Sequence, residues 1–541
     1  MKLILRYFGR AISEFPKQFS VSICLILMLT GLNACVPWGL RQYLEKVAEQ
    51  NNYGIIALGI VFFAVYLIIQ VFVKIAWYIS LDHFGGKYIE SLTLSVERAL
   101  AEASYYDIEQ LGPSVVRNIL YTDIFNMFRV VGHTAPVMLG AIAVILVALS
   151  ISFVYEPHMT ILIFVATVLG IILSWCSRKI LVKTAGRTNA KMKIHDSWCT
   201  QFVEMLPMIQ CNNVLSYYQH KTSDNLRDFI ATAIREDGHT IFWSELTSGY
   251  HSLFSIALSA LLAIPLAGNS IANMMFFTMV ANLILEQSHL VEAQFQQLIK
   301  THVSFSHVDA LLRLPKRQTS NIGAPFSSIT FRNVNFSYPN GTQALREVSC
   351  KICRGDFIRL TGLNGSGKST FIKLLTGLYP PSTGEILLDS NPLSCYAQDK
   401  LNDHILYVSQ DEKFLNETLQ NYLTIITGKS LTQEKFLELF NYVQLPTDGR
   451  KIDENGNSLS VGQRKKLLIL KLLLRFEDAS VLILDELTAG LDAEAVQQVF
   501  ALVQQIAASG DKIIFFVDHS CEGKMHFTHT FHFEDGELHI M

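Results

Sequence analysis

Hydrophobic and polar positions divide the chain into two parts of different character. Up to about residue 313, long uncharged runs alternate with charged, amphipathic stretches; beyond it the apolar runs shorten to strand length. Residues 19–40 carry no charge and are long enough for a transmembrane helix. Residues 53–73 form a second run that is expected to continue past Lys74 toward Ser80, with that lysine snorkelling to the membrane surface. Residues 133–155 and 159–176 read as a tight helical hairpin, parted only by Glu156, Pro157 and His158. Residues 247–268 and 271 to about 285 read as a second pair around the turn Gly268-Asn269-Ser270. Six spans are predicted. Between them, residues 81–132 (with Glu90, Arg98, Asp107, Glu109 and Asp123) and 177–246 (opening with Arg178, Lys179, Lys183 and Arg187) read as helices extending into water.

Charge orients these spans. Lys and Arg cluster at the N-terminus and in both long connections, while the other side has only Arg41, Lys46 and their neighbours, so the long connections and both termini are expected in the cytoplasm. Residues 1–18, with Lys2, Arg6, Arg10 and Lys17, suit an amphipathic helix on the cytoplasmic leaflet, and no cleavable signal peptide is evident. Residues 19–313 then form a helical membrane domain, 314–328 a linker, and 329–541 a soluble α/β domain with strands at 329–337 and 356–361 and a strand-helix-strand close.

Composition agrees with a multidomain membrane protein: 541 residues, half of them hydrophobic, only 17% charged, with a mean hydropathy of +0.29. A net charge of −3 gives no basic excess and argues against nucleic acid as the partner. The nine Cys are scattered; Cys350 and Cys353 form a CxxC without a second ligand pair and read as packing residues. His526, His529 and His532 run into a hairpin with its turn at Asp535-Gly536, where alternating faces keep them from converging on a metal.

Candidate chemistry centres on GLNGSGKST at 362–370, which follows an apolar strand and opens a helix. Small residues at Gly362, Gly365 and Gly367 let backbone N–H groups point inward, beside the positive end of the helix, so a triphosphate is the expected ligand. Asn364, Ser366 and Thr370 complete the loop; Lys368 would reach the β- and γ-phosphates and Ser369 the Mg²⁺ ion. VLILDE at 481–486 is an apolar strand ending in two carboxylates, with Asp485 placed to hold the metal shell and Glu486 to act as general base or orient water. LSVGQ at 459–463 precedes the basic stretch 464–471, so Ser460 and the Gly462 amide lie at a helix N-terminus that suits an anion; an ordinary Ser-capped helix is the plainer alternative.

Taken in order, this P-loop, Gln410 in YVSQ, LSVGQ, LDE at 484–486, AGLD at 489–492 and His519 in VDH resemble the ATP-binding cassette of ABC transporters, and the whole chain resembles an exporter-type half-transporter. The resemblance implies the type I exporter fold, ATP with Mg²⁺, and a dimer in which each ATP lies between one copy's P-loop and the other's signature. It assigns Tyr338 to adenine, Gln410 to Mg²⁺ or the attacking water, and Ser460, Gly462 and Gln463 to the opposite γ-phosphate. It assigns Asp492 to the dimer contact, His519 to the γ-phosphate and, loosely, Glu454 to the partner's helices.

Two positions depart from that pattern. Val461 stands where glycine is usual, and Ala489-Gly490 where Ser-Ala is usual. Neither removes a phosphate-contacting group. With Glu486 and His519 both present, two hydrolysing sites and a homodimer are expected; a heterodimer stays open.

Short runs (IEQLG at 108–112, LLTGLY at 374–379, GEILLD at 384–389 and GQRKK at 462–466) are similar to the exporter group that moves cyclic peptides, microcins and siderophores. The expected cargo is a small peptide-like compound crossing the bacterial inner membrane, already mature because the N-terminus is too short for a processing peptidase. An outer-membrane export partner is compatible with this. Siderophore import, lipid flipping and an ATP-gated regulatory or channel role use the same architecture. Asn273, Asn282 and Glu286 on the sixth span are candidate cavity residues: Glu286 facing a cavity favours cationic cargo, whereas at the cytoplasmic edge it is solvated.

Overall fold

The computed structural model describes residues 2–50, 53–262, 271–316, 326–409, 412–445, 451–453, 458–518 and 523–541. The turn at 268–270, most of the linker, and Gln410, Glu454 and His519 lie outside the described residues. Two compact units result, one of residues 1–99 and 114–313, the other of residues 100–113 and 314–541.

Among the described residues, six long helices dominate the first unit: Pro16–Gln50, Tyr53–Glu102, Ala135–Tyr155, Pro157–Glu204, Leu215–Leu262 and Ile271–Leu312. Among the described residues, Pro16–Val47, Gly59–Glu102, Pro113–Tyr155 and Ala272–Leu312 are long and apolar enough to cross a membrane, and Pro157–Leu173 is a shorter apolar segment. Phe62, Leu67, Ile68 and Phe72 point outward. Water does not tolerate so continuous an apolar surface, whereas lipid covers it at no cost. Pro157 sits in the first turn of its helix, where a missing N–H is harmless, so the chain reverses sharply after Tyr155. Inside, Phe276, Phe277, Val280 and Ile284 pack with Ala148, Ile163 and Leu258.

Helix Lys2–Glu14 buries Ile4, Tyr7 and Ala11, an i, i+3, i+7 stripe. Its anchor is the buried Asp309, which accepts from the Tyr7 hydroxyl at 3.0 Å and Arg6 at 3.1 Å and pairs with Arg313 at 2.8 Å. Burial, reinforced by that carboxylate, pushes the Tyr7 phenol up to about 12. Asp309→Ala leaves a buried hydroxyl without its acceptor and is expected to lower the melting temperature by several degrees and open the N-terminal helix to proteolysis. Unchanged melting and digestion would contradict this anchoring.

The second unit is built on two sheets. Its strands are β1 Ser328–Ser337, β2 Gln343–Cys353, β3 Phe357–Gly362, β4 Thr383–Leu388, β5 Asn391–Pro392, β6 Ile405–Val408, β7 Val481–Asp485, β8 Ile513–Val517, β9 His529–Glu534 and β10 Glu537–Ile540. One sheet runs β2-β1-β4-β5, antiparallel; the other runs β10-β9-β3-β8-β7-β6, parallel except for the β9–β10 hairpin. The first four residues of β7 and all of β8 are buried, as strands covered on both faces must be. Cys350 packs inward on β2 while Cys353 faces out, and burial raises the Cys350 thiol to about 12. His532 meets the Thr361 hydroxyl at 3.0 Å and His529 lies 3.9 Å from Asp356, so these two rings leave in different directions.

Helix Tyr105–Leu111 belongs to this unit. Tyr106 packs edge-on to Phe336 and Tyr379, and Glu109 accepts from the Tyr379 hydroxyl with Lys373 3.8 Å away. Burial and this carboxylate push the Tyr379 phenol well above its ordinary range.

Candidate nucleotide site

Strand β3 delivers the P-loop to the C-terminal edge of the parallel sheet, and Lys368–Leu375 follows as its helix. Gly362, Gly365 and Gly367 all have left-handed backbones, at φ 134°, 83° and 113°. A Cβ on Gly367 would lie 2.7 Å from the Ala344 carbonyl, and one on Gly362 would strike the Ser366 hydroxyl and the Phe533 carbonyl. Only glycine fits either place.

The loop holds unspent polar groups. Ser366 is buried and its Oγ has no hydrogen-bond partner. Lys368 Nζ donates to the loop's own carbonyls, Gly362 at 2.6 Å and Leu363 at 2.9 Å. Burial lowers the Lys368 pKa, and Asp485 and Glu486 act against that fall. Asn364 and Ser369 are exposed at the loop. Buried Thr370 shares a 3.0 Å hydrogen bond with the Tyr338 hydroxyl, whose ring stands edge-on to Phe336 and Tyr379. An anion fits a glycine cradle with an ammonium at its mouth and an orphaned hydroxyl inside.

Neighbouring strands end on the same edge. Asp485 closes β7 and accepts from the Tyr407 hydroxyl at 3.2 Å. Glu486 follows with a left-handed φ of 47°; its N–H donates to Val517 at 2.8 Å, and its carbonyl accepts from Lys465 Nζ at 2.7 Å. Buried Asp518, just after β8, accepts from Thr488. A carboxylate pair beside a phosphate cradle can hold a divalent cation and take a proton from water. Ser369 and Asp485 are oxygen donors of the kind Mg²⁺ takes, so the residues present fit that ion.

Other expected residues are engaged elsewhere. Ser460 and Gln463 form a reciprocal capping box on helix Val461–Arg475, at 3.2 and 2.9 Å, while Gly462 lies in its first turn and Val461 is 61% exposed. Asp492 caps helix Ala493–Ala508 through the Ala495 N–H at 2.9 Å. In the membrane unit, Asn282 and Glu286 share a helix face and are exposed, with Asn282 accepting from Ser255 at 2.7 Å. Asn273, nine residues earlier, lies about half a turn round that helix from Asn282, so the three do not form one lining.

Several site residues escaped the sequence reading. The stretch 464–471 reads as a basic helix whose N-terminus suits an anion, but two of its lysines turn inward. Lys465 reaches Glu486, and Lys471 pairs with Glu412 at 2.7 Å and the Tyr407 carbonyl at 3.1 Å. Their place beside the apolar stripe of buried Leu468 and Leu472 was the available signal that their stems are covered, though not of where their charges end.

Residues 345–489 match the family model described as ABC transporter. The soluble unit is an ABC-type ATPase domain. An ATP-dependent lipid A-core flippase of Photobacterium profundum is 36% identical over 200 residues, 35% of this chain and about a third (34%) of that protein's length. A second, from Haemophilus ducreyi, is 27% identical over 524 residues, 92% of this chain and 81% of that protein. In fold the chain is similar to the structure of a bacterial Atm1-family ABC exporter with ATP bound, with a TM-score of 0.83, 15% identity, and coverage of 97% of this chain and 94% of that one. The expected architecture, a helical membrane domain followed by an α/β ABC ATPase domain, is therefore the one observed.

Proposed function

We propose that this chain is an ATP-hydrolysing exporter of the bacterial inner membrane that works as a homodimer and moves a small peptide-like compound by alternating access. The observation that carries the reading is the glycine cradle with Lys368 and the partnerless Ser366 hydroxyl, set beside Asp485 and Glu486 on one sheet edge. In this reading the cradle and Lys368 hold the phosphates of ATP, and Tyr338 stacks on adenine. Ser369, Gln410 and Asp485 would hold Mg²⁺, which would supply charge neutralisation to the phosphates. Glu486 takes the proton of the water that attacks the γ-phosphorus as the bond to ADP breaks. His519 contacts the γ-phosphate. Ser460, Gly462 and Gln463 close on the partner's nucleotide and Asp492 on the partner itself. Binding draws two cassettes together, hydrolysis parts them, and the long helices carry that motion to a cavity with Asn282 and Glu286 on its wall.

A second reading, lipid flipping, is favoured by the two relatives named as lipid A-core flippases, one of which aligns with 92% of this chain. Inside-out vesicles and proteoliposomes separate the two. ATP-driven accumulation of labelled cyclic peptides or siderophores, lost in Glu486→Gln, supports peptide export. ATP hydrolysis with no accumulation but with transfer of labelled lipid between leaflets replaces that reading with the second.

A further inference from the structure

The first turns of helix Val461–Arg475 are fastened to the chain's own 486–490 segment at two points. Lys465 is only 5% exposed, yet its ammonium donates to the Glu486 carbonyl at 2.7 Å. One turn earlier, Val461 lies over Gly490: a Cβ on Gly490, itself at φ 84°, would sit 2.9 Å from Val461 Cγ1. The two departures from the cassette pattern are thus in contact. The side chain gained at 461 takes the space that a residue larger than glycine at 490 would need.

Glu486 is where this fastening has consequences. A glutamate with φ near 47° is in a backbone region that side-chain-bearing residues avoid, so the surroundings must hold it there. Bonds to its backbone help to do so: its N–H donates to Val517 on β8, and its carbonyl accepts from Lys465. The second is charge-assisted and buried, the kind of hydrogen bond that is strong and intolerant of displacement.

We propose that Lys465 is a positioning residue for ATP hydrolysis, tying the orientation of Glu486 to the helix that carries Ser460 and Gly462, so that engagement of the signature by one nucleotide sets the general base of the other site. This rests on the two-copy reading above, in which the signature serves the partner's ATP and Glu486 its own. A shift of the signature's first turn onto a γ-phosphate pulls Lys465 and Val461 with it, and both contacts end on the segment that begins with Glu486. The two sites of the dimer are therefore coupled in the forward direction.

The test uses the full chain in lipid nanodiscs, with ATP turnover measured against ATP concentration for the unaltered protein, Lys465→Met and Lys465→Arg. The unaltered protein is expected to show a Hill coefficient well above 1, with roughly 2 as the ceiling for two sites. Lys465→Met is expected to lose about tenfold or more in kcat and fall to a Hill coefficient of 1, with the half-saturating ATP concentration and melting temperature held. Lys465→Arg, which keeps the charge, retains cooperativity and most of the turnover. Lys465→Met with unchanged kcat and cooperativity overturns the inference. So does an equal loss of turnover and melting temperature in both variants, which would mark a packing role. A chain that hydrolyses no ATP at all sinks the proposed function, and this inference with it.

Discussion

Glu486→Gln is expected to lower ATP turnover by about 10³-fold, within the range that a lost general base produces. The change is nearly isosteric, and the bonds to Val517 and from Lys465 use the backbone N–H and carbonyl of this residue, which glutamine keeps. Folding and ATP binding should therefore survive while the proton acceptor is gone. The checkable consequence is a split: ATP affinity within a few-fold of the unaltered protein, turnover close to background, and accumulation of a closed, ATP-loaded dimer detectable by cross-linking. Turnover within tenfold of the unaltered protein would remove Glu486 from the base role and reassign the proton transfer to another group on the sheet edge.

The second large effect falls on binding instead. Lys368→Met removes the ammonium that closes on the P-loop and is expected to weaken ATP by roughly 10- to 100-fold, the worth of a charged hydrogen bond to phosphate lost at one point. Two bonds to the loop's own carbonyls disappear as well, but these carbonyls lie at a loop open to water, which can replace the donor. Fluorescent-nucleotide titration reads the affinity and melting in the absence of nucleotide reads the fold. Weak binding with an unchanged melting temperature is the expected pair. Full ATP affinity in this variant would mean that the cradle's N–H groups hold the phosphates without the lysine, and a collapse in melting temperature would make Lys368 a structural residue first.

The P-loop was legible because its requirement is local: glycine at 362, 365 and 367 reflects left-handed backbone, and all three have it. Strand β7 was legible because uninterrupted apolar residues mark a strand buried on both faces. The hairpin at Asp535-Gly536 was legible for the same kind of reason, both residues having positive φ. Gln410 and His519 keep only their sequence-based assignments.

What sequence could not show is where long side chains end. Lys465 and Lys471 look from the pattern alone like the solvent-facing charge of a basic helix. The fold turns them to Glu486 and to Glu412, which lie 21 and 59 residues away in the chain. A lysine at the margin of an apolar stripe can lay its stem along either neighbour and send its charge outward or inward, and only the packed partner decides which. Val461 and Gly490 illustrate the same limit. Each was visible as a departure by itself, and their mutual contact exists only because the helix start and the post-β7 loop converge in space. The amino-acid sequence by itself determined the membrane helices, the order of the domains and the phosphate cradle, because run length, periodicity and backbone-restricted glycines act over a few residues. Tertiary structure alone decided which buried charge holds the Glu486 backbone and which departures compensate each other, because those depend on distances between segments that no local pattern encodes.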